Sequence, residues 1–188
     1  MKLLDEIAAC RLCHTQFGHM PSPVVQGNAS AKVLIAGQAP SMTVHKTGKP
    51  FNDASGTKLR DWLGVTEQQF YDPSLFAIIP MAFCYPGKGK TGDKAPPKIC
   101  AKTWREKLLA EFNQVEFTIL IGQYAQSYHL TSYTNVTEAV QNWEKFMPTR
   151  MPLPHPSPRN HYWLKRNPWF EINAIPALKK RISDILTS

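Results

Sequence analysis

The sequence predicts an α/β fold in which a short, mostly parallel four-stranded sheet is covered by helices on both faces. Three observations predict it. Four short apolar runs are bounded by Gly, Pro or polar clusters, as buried strands are. Helical periodicity falls between those runs. Strands that alternate with helices connect by right-handed crossovers, which leaves the strands parallel and the sheet faces covered. The chain has 188 residues, enough for one domain with a proper core and too few for two ordinary ones, so residues 1–188 are read as a single domain. Its 43% hydrophobic and 19% charged residues exclude a disordered or collagen-like chain.

In chain order, the first strand is Lys32 to Ala36 (KVLIA). Ser55 to Leu63 reads as a helix, with a Ser cap and Leu59, Trp62 and Leu63 on one face. The second strand is Leu75 to Ala82 (LFAIIPMA). A helix over Thr103 to Phe112 then places Trp104, Leu108 and Phe112 at four-residue spacing. Phe117 to Ile121 (FTILI) is the third strand and Gln123 to Leu130 a short helix. A weaker, proline-interrupted strand surrounds Met151 to Leu153, and Pro176 to Leu186 forms a terminal helix. Open sheets of this kind bind ligands beyond the carboxyl ends of their strands. The segments there are GQAPS (37–41), CYPGKGKTGDK (84–94), GQYAQ (122–126) and HPSPRN (155–160).

Charge gives the first functional indication. The 22 Lys and Arg against 14 Asp and Glu leave a net charge of +8, which attracts polyanions, nucleic acid foremost. No apolar run approaches the roughly 18 residues that cross a bilayer. Asp5 and Glu6 stand where a signal peptide needs an apolar stretch, so the expected location is the cytoplasm.

The four cysteines are Cys10 and Cys13, in a CxxC, and the distant Cys84 and Cys100. In a cytoplasmic chain such a set binds metal more often than it forms disulfides. A zinc ribbon normally brings two close CxxC pairs and this chain has one; four thiolates equally hold a [4Fe-4S] cluster. Unligated buried cysteines are the plain alternative.

GQAPS followed by TGKPFNDASG (47–56) resembles the first motif of the uracil-DNA glycosylase superfamily, and HPSPRN resembles its second. With the cysteine spacing added, the chain is most similar to the iron-sulfur branch, the family 4 and family 5 enzymes and their unassigned bacterial relatives. The ordered set of CxxC, GQAP, PFxDxSG, Cys, Cys and HPSP runs from Cys10 to Asn160. The resemblance implies an αβα sandwich, a [4Fe-4S] cluster on Cys10, Cys13, Cys84 and Cys100, and a nucleotide flipped from DNA into a pocket at the sheet's carboxyl edge. It implies hydrolysis of an N-glycosidic bond by a monomer acting at the bacterial nucleoid.

Such a site must hold an extruded base, stabilise charge on the departing base, and place water at the sugar carbon. Phe51 matches the family's stacking aromatic, and His155 the histidine that donates to a base oxygen as it becomes an anion. Family 4 reads Glu where this chain has Gln38, and family 1 carries its water-positioning Asp where this chain has Ala39. Asp53 is the nearest carboxylate and is assigned the water, with helix capping as its plainer role and His45 as the alternative water ligand. Family 4's uracil-reading Asn falls on Pro80, which offers no side-chain hydrogen bond, so base reading passes to Gln38 or the preferred base differs from uracil. Ser157 and Arg159 are expected in the minor groove, and the loop at 88–94 with Lys165 and Arg166 on phosphates. Tyr162, Trp163, Trp169 and Phe170 are expected to pack the last helix. The replacement of both usual catalytic acids and of the recognition Asn also supports a second reading, a catalytically silent DNA-binding or damage-sensing protein on the same fold. A metal-stabilised α/β protein acting on nucleotides or RNA is a third.

Overall fold

In the computed structural model, which describes residues 2–188, the four apolar runs become β1 (Val33–Ala36), β2 (Phe76–Ile78), β3 (Phe117–Ile121) and β4 (Arg150–Leu153). They pair in parallel in the order β2-β1-β3-β4. β1 and β3 are central, and apart from Thr118 their residues are apolar and buried. β4 is an edge strand and so tolerates Pro152.

The helices in chain order are α1 (Lys2–Ala8), α2 (His14–Phe17), α3 (Met42–Thr47), α4 (Ala54–Leu63) and α5 (Glu67–Phe70). They continue with α6 (Lys98–Glu111), α7 (Gly122–His129), α8 (Val136–Gln141), α9 (His161–Arg166) and α10 (Ile175–Leu186). Alternation along each strand divides the core between two faces. Val33, Ile35, Phe76, Ile78, Phe117 and Ile119 meet Leu59 and Trp62 of α4 and Leu178 and Ile182 of α10. On the opposite face Leu34, Ala77 and Ile79 meet Ile7 of α1 and Leu108 of α6, while Ala36 and Leu120 meet Ala125 of α7. The result is an αβα sandwich.

Four expectations need correction. Asp53, not Ser55, caps α4, its carboxylate accepting the Gly56 N–H at 3.1 Å. The helix expected from Thr103 begins a turn earlier, at Lys98, so Cys100 lies in its first turn. β2 ends at Ile78, short of the expected Ala82, although the Met81 N–H still reaches the Gly37 carbonyl beyond Pro80. Trp163, Trp169 and Phe170 pack beside α10 as expected, but Tyr162 is 68% exposed.

Candidate active site

The site is built where the strands end. β1 runs out through Gly37 and Gln38, and the segment after β2 stays beside it. The Met81 N–H donates to the Gly37 carbonyl at 2.9 Å and the Ala82 N–H to the Gln38 carbonyl at 3.1 Å. Pro80 is thereby held next to Gln38. Its carbonyl and that of Ile79 turn the other way, each accepting from Arg105 Nη1 at 3.1 Å.

Phe51 adopts φ +52°, a left-handed conformation that costs a bulky residue of order 1–3 kcal/mol and persists only where its surroundings enforce it. Here they do. The Phe51 carbonyl accepts from Tyr71 Oη at 3.3 Å and from Arg60 Nη1 at 3.4 Å. Gly56 lies so close that a Cβ on it would stand 1.7 Å from that oxygen. The Phe51 ring is half-buried, edge-on to Phe70 at 6.2 Å.

Two residues on, Asp53 uses both carboxylate oxygens. Oδ1 accepts the Gly56 N–H at 3.1 Å and Oδ2 accepts from Ser41 Oγ at 3.2 Å. Each oxygen keeps a second acceptor position. His155 follows β4. Burial pulls its imidazole below the usual 6.5, with the charge of Asp53 opposing, which favours the neutral ring. Asn160 Nδ2 donates to the His155 carbonyl at 2.7 Å, and the Ser157 hydroxyl caps the turn by accepting the Arg159 N–H at 3.2 Å. The 88–94 loop folds back on itself, Gly89 N–H to the Gly92 carbonyl, and a side chain at Gly92 would begin 3.9 Å from Arg159 Nη1.

Gln38, Phe51, Asp53, His155, Ser157 and Arg159 all line one cleft of about 480 Å³ at the carboxyl edge of the sheet, and Pro80 lines it with them. His45 stands outside that lining. Its ring meets His19 edge-on at 5.0 Å, and its Nδ1 is buried with no partner among the described residues.

The family model described as the uracil DNA glycosylase superfamily matches residues 24–179, from before β1 into α10. The chain belongs to the uracil DNA glycosylase superfamily. Members of the superfamily are generally DNA glycosylases, and its match covers every residue of the cleft. The match begins after Cys10 and Cys13, so the superfamily is decided without them.

Those two thiols nonetheless meet the other pair. Cys10, Cys13, Cys84 and Cys100 line one small chamber whose remaining walls are apolar, among them Phe17, Pro97 and Trp104. Burial pushes Cys84 up to about 12, with charge on Cys100, Cys10 and Cys13 adding to it. Burial likewise pushes Cys100 up to about 12, while the Phe83 N–H, 3.4 Å from its sulfur, opposes the shift. Among the described residues no three His, Cys, Asp or Glu side chains converge as the ligands of a single metal ion would. Four thiols around one chamber are the donor set that a thiolate-held group would need.

Sequence reasoning missed Ser41, Gly56, Asn160 and Arg105. The first three lie inside the recognised motifs, so their positions were visible and their tasks were not. Arg105 carried no signal beyond being a charge on an amphipathic helix.

Proposed function

We propose that this chain is a DNA glycosylase that hydrolyses the N-glycosidic bond of uracil or another deaminated or damaged base, initiating base-excision repair as a monomer on nucleoid DNA. The observation that carries the reading is the convergence on one cleft of an enforced aromatic, a half-buried histidine and a carboxylate. Phe51 stacks on the flipped base, worth about 1–3 kcal/mol. Gln38 reads its edge through an amide that both donates and accepts. As the bond from base nitrogen to sugar C1′ breaks, the electron pair leaves with the base, and neutral His155 donates a hydrogen bond to the base oxygen that gains charge. Asp53 stabilises positive charge on the sugar and orients water through its free acceptor positions. The water oxygen bonds to C1′ and its proton passes to the departing base or to solvent. Ser157 and Arg159 hold the neighbouring phosphates or groove.

Cys10, Cys13, Cys84 and Cys100 would hold a [4Fe-4S] cluster that supplies no reacting atom and ties the N-terminal segment to the segment after β2 and to α6. Protein purified intact should then be brown with broad visible absorbance; colourless protein with stoichiometric zinc would contradict the cluster.

The silent-binder reading is favoured by one observation, that Asp53 already serves as a helix cap. Oligonucleotides carrying uracil, hypoxanthine, xanthine or alkylated bases, treated with protein and then alkali, separate the two. Strand cleavage at one of these bases supports the glycosylase, whereas normal DNA binding with every base intact supports the silent binder.

A further inference from the structure

A second groove, of about 580 Å³, lies outside the cleft where α6 and α7 face each other. Its floor is buried and apolar, formed by Met81, Pro97 and Ala101. α6 supplies Lys98 and Lys102, and α7 supplies Tyr124 and Tyr128. Residues four apart fall on one helix face, so one side of the groove carries Lys98 and Lys102, followed by Glu106, and the other side is an aromatic rail. Both lysines are exposed, and neither is in an ion pair among the described residues. Tyr128 is 43% exposed yet held in place, its hydroxyl bonded to the Glu106 carboxylate and its ring centroid 5.5 Å from the Arg105 guanidinium.

The groove borders the cleft through the backbone. Met81 follows Pro80 of the cleft, and Tyr124 follows Gln123, which lines a chamber shared with Gln38 and His155. Aromatic faces beside lysines complement one class of polyanion in particular, unpaired nucleic acid, whose bases stack without regard to sequence while its phosphates meet the charge. Duplex bases are stacked and paired among themselves and present only their edges.

We propose that this groove binds single-stranded DNA flanking the target nucleotide, with unpaired bases on Tyr124 and Tyr128 and phosphates on Lys98 and Lys102. The inference rests on the DNA-directed reading of the neighbouring cleft. The probe is a short undamaged single-stranded oligonucleotide, with its duplex in parallel, titrated by fluorescence anisotropy. The Lys98→Glu, Lys102→Glu double variant changes only exposed side chains, and Tyr124→Ala should lower single-strand affinity about tenfold, as loss of one stacked base does. Tyr124→Phe keeps the ring and should bind as the native protein does. Duplex affinity should change far less in every variant. Unchanged single-strand affinity in the folded double variant would overturn the proposal, as would equal losses for single strand and duplex. Because the probe carries no damage, a protein that excises nothing leaves this result interpretable, and a groove that binds nothing leaves base excision untouched.

Discussion

Asp53 caps α4 and, on the proposed reading, also faces the sugar, and the two tasks are separable by chemistry. Asn caps a helix about as well as Asp. Asp53→Asn should therefore keep the α4 cap and the melting temperature while losing the charge proposed to act on the sugar. Asp53→Ala should lose both, with about 1 kcal/mol of stability gone with the cap. Thermal melts of the two variants beside their base-release rates check this. That Asp53, Phe51 and His155 meet at one cleft was legible because each stands in a motif placed after a strand. What was not legible was that Ser41 holds Asp53 Oδ2 and that Asn160 holds the His155 carbonyl. Both contacts depend on how loops meet in space, which no spacing in the sequence encodes.

The connection from Phe51 into α4 behaves as one element. Gly56 gives its N–H to Asp53 and, by lacking a side chain, admits the Phe51 carbonyl. A Cβ 1.7 Å from that oxygen cannot be absorbed by a rotamer change, since the obstacle is backbone. Gly56→Ala should consequently displace Phe51 and Asp53 together. We expect weaker capture of the flipped base and slower release at once, by more than either Phe51→Ala or Asp53→Asn produces alone. Equal single-turnover rates for Gly56→Ala and native protein would show that the close approach is not required. The sheet was readable strand by strand because apolar runs of this length are unambiguous when Gly and Pro bound them. The ends of the elements were not, and β2 shows why. Its apolar run continues to Ala82, but the strand stops at Ile78, and beyond it Pro80 lines the cleft while Met81 and Ala82 line other chambers.

Across the whole molecule, stability and DNA binding answer to charge in opposite ways. His129 is buried against Arg105, whose Nε and Nη2 lie 3.0 and 2.8 Å from its Nε2. Burial, with the Arg105 charge adding, depresses the His129 imidazole to about 3. The folded protein holds this ring neutral, while the unfolded chain protonates it below its ordinary value of about 6.5. As pH falls from there toward 3, the unfolded state therefore binds an extra proton and stability drops by up to about 1.4 kcal/mol per pH unit from this group. Urea midpoints of native protein and His129→Gln between pH 7 and 4 should show a shallower acid limb in the variant. DNA affinity, by contrast, should weaken steeply with salt, because the net charge of +8 acts through counterion release. An affinity flat from low to physiological salt would contradict that. The most direct test of the central claim is single-turnover release of a damaged base, measured with DNA affinity for native protein, Asp53→Asn and His155→Ala. The account predicts that each substitution slows release by a factor of about one hundred or more while DNA affinity changes little. Release by both variants at the native rate would contradict it.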